Sequence, residues 1–186
     1  MFGFDDGDGI KPGDIIKYMH EETKAEAGFK IVALLGKGQY GAVYGARLEE
    51  CHESLKFPEY VACKVQKILT KKELQTMKDR EIMLNEKLQS KNLIHMYCAV
   101  LVQDKKRRVI NLCIFFHFYN GRMLSDLIRV KEYMPEKLAA KICKQLLDGL
   151  IVMHQNNVIH RDLKPDNVVM HFDYMPHDSV VDYDFL

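Results

Sequence analysis

At 186 residues and 47% hydrophobic content, the chain has enough apolar material for one ordinary domain or two small lobes. Its 27 basic residues against 26 acidic leave a net charge of +1, which argues against nucleic-acid binding driven by bulk charge and leaves any phosphate chemistry to individually placed residues. Five cysteines stand singly at Cys51, Cys63, Cys98, Cys113 and Cys143, an odd total without paired spacing, which argues against a disulfide framework and a zinc site. The N-terminus lacks the basic-then-apolar order of a signal peptide, and no apolar run approaches the roughly 18 residues of a membrane span. The expected location is therefore intracellular, cytoplasmic or nuclear.

Residues 1–28 are rich in Gly, Asp and Glu with little periodicity, and read as a flexible leader with a short helix around Ile15 to Met19. Asp6-Gly7-Asp8-Gly9 lacks the third ligand and terminal Glu of a calcium loop and reads as an acidic turn. From Lys30 the pattern changes to short apolar segments separated by turns, at about 30–35, 42–48, 60–66, 94–101 and 109–116, with one helical stretch between the third and fourth. This predicts a five-stranded antiparallel sheet with one helix.

The first strand pair encloses Gly36-Lys37-Gly38-Gln39-Tyr40-Gly41-Ala42-Val43. Glycines let a backbone turn tightly and bring its N–H groups against phosphate oxygens, but a glycine hairpin serves a purely structural purpose as readily. A dinucleotide site would need a helix straight after the glycines; Ala42-Val43-Tyr44 reads as a strand instead. The third strand sets Lys64 among apolar neighbours in Val61-Ala62-Cys63-Lys64-Val65, where the ammonium needs an anionic partner. At about 100° per residue, Leu74, Met77, Leu84 and Leu88 of the following helix share one stripe with Glu81 in its middle, so Lys64 and Glu81 form a candidate ion pair. Glu73, Lys78 and Glu86 lie off that stripe and read as surface charges.

The basic turn through Lys105 and Arg108 reads as a solvated hairpin tip. After Asn120-Gly121 the pattern becomes helical, with a short helix near 123–130 and a longer one from Pro135 to His154. The charged loop His160-Arg161-Asp162-Leu163-Lys164-Pro165-Asp166-Asn167 follows, and Asp184-Phe185-Leu186 comes last.

In this order these motifs resemble the eukaryotic protein kinases of serine/threonine type: the glycine loop, a V-A-x-K strand, a helix glutamate and H-R-D-L-K-P-x-N. Lys164, two residues after Asp162, marks the serine/threonine pattern. The resemblance implies an α+β, protein-kinase-like fold over residues 29–186: an N-lobe to about 119, then the beginning of a helical C-lobe. It further implies phosphoryl transfer from Mg-ATP to a Ser or Thr hydroxyl of a protein substrate. Asp162 would accept the hydroxyl proton, and Lys164 would neutralise the transferring group. Asn167 and Asp184 would hold Mg²⁺. Lys64, set by Glu81, would clamp the α and β phosphates beneath the backbone of 36–43. Val43, Ala62 and Val169 would enclose the adenine, with Leu35 among the cofactor-binding residues, Phe116 as gate and His117 to Tyr119 as hinge; Phe115 to Tyr119 serve equally as an aromatic core strand. His160 and Arg161 look architectural. No feature bears on oligomeric state.

Three departures from the family pattern stand out. Leu186 replaces the glycine of Asp-Phe-Gly, a residue without that glycine's φ freedom, and Asp182 stands where an apolar strand residue is usual. Asn85 occupies a spine position usually apolar. Both favour the alternative reading, a pseudokinase acting as an ATP-binding or scaffolding module. The third is the end of the chain. Apolar residues of the 135–154 helix (Leu138, Ile142, Cys143, Leu146, Leu147, Leu150, Ile151) spread over about 220° of the wheel, beyond the roughly 100° stripe of a surface helix. If four or five stay exposed at roughly 1.5 to 3 kcal/mol each, the loss is on the order of 10 kcal/mol. The expectation is a fragment of a kinase with little activity alone.

Overall fold

The computed structural model describes residues 9–38, 41–77, 82, 87–104, 109–131 and 133–172. The expected α+β, kinase-like architecture is the one found, in two units. The first takes the residues up to 86 together with 95–118; the second takes 87–94 together with those from 119 onward.

The first unit is built on strands β1 (Ile15–Met19), β2 (Glu26–Gly38), β3 (Gly41–Cys51), β4 (Tyr60–Ile68), β5 (Met96–Asp104) and β6 (Val109–His117). They form one sheet in the order β1-β2-β3-β4-β6-β5, antiparallel throughout. The five expected strands are β2 to β6; the sixth corrects the sequence reading. Ile15–Met19 is a strand, not a helix, paired from Ile15↔Lys30 to Met19↔Glu26. The cause is tertiary: Ile16 is buried beside Ala27 and Phe29, and a strand aims alternate side chains at that core. Ile10 is buried in the same core, so part of the leader is integral to the sheet.

Side-chain alternation on β4 divides the sheet. Val61, Cys63 and Val65 enter one core, where Phe29 stacks on Phe115 with ring centroids 4.3 Å apart and meets Phe57 edge-on at 5.2 Å. Each fully buried side chain here contributes about 1.5–3 kcal/mol. The other face carries Lys64, and there Ile68, Leu112 and Ile114 pack with Leu74 and Met77 of helix α1 (Lys71–Met77) and with Ile82. The helix starts on a reciprocal cap: Glu73 N–H donates to Thr70 Oγ1 at 3.1 Å, while Glu73 Oε2 accepts from the N–H groups of Thr70 (3.1 Å) and Leu69 (2.8 Å). Glu73 remains an exposed charge, and it also fixes the helix start.

Among the described residues the second unit holds α2 (Leu124–Val130), α3 (Glu136–Gln155) and the 3₁₀ turn Pro165–Asn167. Leu124, Leu127 and Ile142 form its core, packed by Leu138, Leu146, Val168 and Met170. Cys143, Leu147 and Ile151, four residues apart along α3, are exposed, Leu147 at 59% and Ile151 at 52%. No described helix is long and apolar enough to cross a membrane.

Candidate active site

In the first unit, two hairpin strands and β4 carry the glycine loop and Lys64. Strands β2 and β3 close through Gly36↔Val43, Lys37↔Ala42 and Gly38↔Gly41. Gly41 has φ 139°, and a Cβ there would overlap the carbonyl oxygen of Val65. Its missing side chain lets β3 lie against β4 where the two strands first pair, at Ala42↔Val65. Leu35, Gly36, Lys37 and Gly38 are exposed, whereas Gly41, Ala42 and Val43 are half-buried.

Register then gathers four of the predicted residues of this unit on one face. Val43 pairs with Lys64, which pairs with Ile114. Two residues along, Gly45 pairs with Ala62, which pairs with Phe116. Partners in an antiparallel pair share a face, so Val43, Ala62, Lys64 and Phe116 form a patch. Lys64 is half-buried. His117 ends β6, its Nδ1 bonded to Tyr97 Oη at 2.8 Å and its N–H donating to His95 O at 2.8 Å. Gln39, Tyr40, Glu81, Asn85, Asp182, Asp184 and Leu186 lie outside the described residues, as does the basic turn at 105–108.

In the second unit the charged loop folds on itself. Arg161 adopts φ 67°, the left-handed region that costs a non-glycine residue roughly 1–2 kcal/mol, and this turns the chain between His160 and Asp162. Asp162 N–H donates to His160 Nδ1 at 3.4 Å. Asn167 Nδ2 donates to the Asp162 carbonyl at 2.7 Å and to its carboxylate Oδ2 at 2.9 Å. Lys164 Nζ lies 3.0 Å from the same Oδ2. The Lys164 hydrogen bond first, and then that from Asn167, hold the Asp162 carboxyl below its usual range. Both charged side chains stay open to solvent, Asp162 at 64% and Lys164 at 49%. The arrangement presents an ionised oxygen acceptor beside a cation.

Asn167 also decides how a divalent ion would fit. Because Nδ2 is committed to Asp162, its amide is oriented, and Oδ1 is the neutral oxygen left for a hard cation. Among the described residues no group of three or more His, Cys, Asp or Glu gathers to hold a metal. Mg²⁺ needs no such group, since it keeps several waters and is held by one or two protein oxygens plus substrate phosphates. The residues present fit it.

Val169 stands half-buried opposite Met123 in an isolated antiparallel bridge. Tyr119 meets His171 edge-on, ring centroids 5.6 Å apart. Asn120, which in the sequence only marks where the helical pattern begins, bonds Phe172 through both ends of its amide.

A glycine hairpin, a lysine strand and an Asp–Lys–Asn loop, in that order, are the features of the protein kinase class. Residues 29–185 match the protein kinase domain family, and the chain belongs to it. It is 31% identical over 161 residues to calcium-dependent protein kinase 4 of Plasmodium falciparum (isolate 3D7), covering 87% of this chain and 28% of that protein. It is 30% identical over 144 residues to Aurora kinase C of Mus musculus, covering 76% of this chain and 48% of that one. It is 29% identical over 155 residues to mitogen-activated protein kinase kinase kinase 19 of Mus musculus, covering 81% and 11%. The chain thus spans less than half the length of these relatives.

Proposed function

We propose that the protein containing this chain is a serine/threonine kinase that transfers the γ-phosphoryl group of Mg-ATP to a Ser or Thr hydroxyl of a protein substrate. The observation that supports this best is the loop in which Lys164 and Asn167 both bond the Asp162 carboxylate, keeping it ionised and oriented. In the proposed reaction the substrate hydroxyl oxygen attacks the γ phosphorus. The new O–P bond forms as the bond to the β–γ bridging oxygen breaks, ADP departs with that electron pair, and the hydroxyl proton passes to Asp162. Lys164 offsets charge on the transferring oxygens. Mg²⁺, when bound, supplies charge neutralisation across the β and γ phosphates; Asn167 would hold it, with Asp184 as the second protein ligand.

Lys64, set by Glu81, is assigned to the α and β phosphates, and the backbone of 36–43 to covering them. Val43, Ala62 and Val169 are assigned to the adenine, Leu35 to the nucleotide, Phe116 to the gate and the 117–119 backbone to the base edge. Five free cysteines favour a reducing, intracellular compartment. Residues 1–186 alone are expected to transfer little phosphate, a reading supported by the exposed apolar stripe of α3.

The test is transfer of labelled phosphate from ATP to a protein mixture by the full-length protein and its Asp162→Asn and Lys64→Met variants. Loss of about 10²–10⁴-fold in either variant supports the assignment. Unchanged transfer in Asp162→Asn overturns it, and Mg²⁺-dependent ATP binding without turnover by the unaltered protein supports a pseudokinase.

A further inference from the structure

Between Tyr119 and Leu124 the chain runs antiparallel to 168–172, the stretch that leaves the charged loop. Leu124 N–H donates to Val168 O at 2.8 Å, Met170 N–H to Arg122 O at 2.9 Å and Gly121 N–H to Met170 O at 3.1 Å. The next rung would pair residue 120 with Phe172 by backbone. The Asn120 side chain supplies it instead: Oδ1 accepts from Phe172 N–H at 2.9 Å, and Nδ2 donates to Phe172 O at 2.8 Å. A carboxamide offers the same acceptor and donor as a peptide group, so the ladder gains a rung without using the backbone of residue 120. Both bonds are partly buried, which limits competition from water. Next to them, a Cβ on Gly121 would overlap the backbone of Met170, so the two segments approach closely only because that position is bare.

We infer that Asn120 is a positioning residue, a side-chain rung that fixes the register of 119–124 against 168–172 and thereby the placement of Val169 and of Asn167, one residue upstream of the ladder. The inference rests on the kinase reading for its effect on catalysis, though not for its effect on structure. A one-residue slip would turn Val169 to the opposite face and draw Asn167 away from Asp162. Asn120→Asp keeps the acceptor for the Phe172 N–H but loses the donor and sets a carboxylate against the Phe172 carbonyl. It should therefore do at least as much harm as Asn120→Ala.

The experiment measures amide exchange by mass spectrometry and steady-state kinetics on the full-length protein carrying Asn120→Ala, Asn120→Asp or Asp162→Asn. Both Asn120 variants should speed exchange of the peptide spanning 168–172 about tenfold, Asn120→Ala by losing both bonds and Asn120→Asp by losing one and setting a carboxylate against the Phe172 carbonyl. They should raise KM for ATP by a similar factor while kcat falls less than threefold. Asp162→Asn should abolish turnover and leave that exchange unchanged. Unaltered exchange in Asn120→Ala refutes the rung, and faster exchange with unchanged KM refutes the positioning role. If the unaltered protein neither binds nor turns over ATP, the kinase reading fails by itself and the rung stands or falls on exchange alone.

Discussion

Replacing Ile16 by Ala, with Ile15→Ala as its neighbour control, tests whether the residues before the family-matched region belong to the fold. Ile16 is 3% exposed within a core that includes Phe29 and Phe115, whereas Ile15 is 57% exposed. Truncating a buried Ile to Ala costs about 2–5 kcal/mol, and a first strand with room to settle belongs near the middle, at about 3 kcal/mol. Truncating Ile15 should cost under about 1 kcal/mol, the strand-propensity difference alone. With a urea m-value of about 1.5 kcal/mol per molar, Ile16→Ala should lower the unfolding midpoint by about 2 M, against about 0.5 M for Ile15→Ala. The chain has no Trp and nine Tyr, so unfolding is followed by tyrosine fluorescence together with circular dichroism. A helix over 15–19 would put Ile15, Tyr18 and Met19 on one face and make Ile15 the costly position. Equal losses, or a larger loss for Ile15→Ala, would refute the strand argument.

Three further outcomes are expected. Lys164→Met removes the largest cause of the depressed Asp162 pKa, so the carboxyl midpoint, followed by NMR titration, should move up toward the ordinary carboxylate range. The depressed value stabilises the folded state above the unfolded carboxylate pKa, a contribution lost as pH falls through the folded one; the variant should have less of it, and what it has should be gone at a higher pH. Gly41→Ala should destabilise the first unit by about 1–3 kcal/mol, because the residue combines φ 139° with overlap on Val65; a midpoint change under 0.2 M urea, ~0.3 kcal/mol, would contradict this. Alkylation should modify Cys51 and Cys143 in the native protein and spare Cys63, Cys98 and Cys113 until unfolding. Burial pushes the Cys98 thiol up to about 12, and a hydrogen bond with Cys113, then burial, raise that of Cys63. Native labelling of Cys63 would show that this core opens.

What could be read before the fold was known followed the range of each interaction. Strands β2 to β6 announce themselves as short apolar segments between turns, and the Asp162–Asn167 bond closes over five residues inside one loop. Ile15-Ile16-Lys17-Tyr18-Met19 misleads because adjacent isoleucines blur the period; its strand character comes from β2, which a short window does not contain. Thr70 and Glu73 carry the spacing of a reciprocal cap in the sequence, although Glu73, off the apolar stripe, reads there as a surface charge. Asn120 could not be found that way. Its partner lies 52 residues on, and an Asn-Gly pair signals a turn whatever its amide holds.

The assignment of 87–94 to the second unit means that the backbone passes from one unit to the other three times, after 86, 94 and 118. A chimera made with one crossover between this protein and a relative would therefore separate 87–94 from the residues it packs with, or leave β5 and β6 behind. Exchanging the second unit intact requires two grafts, one for 87–94 and one beginning at Tyr119, so recombination points that look natural in the linear sequence cut across the units that fold together.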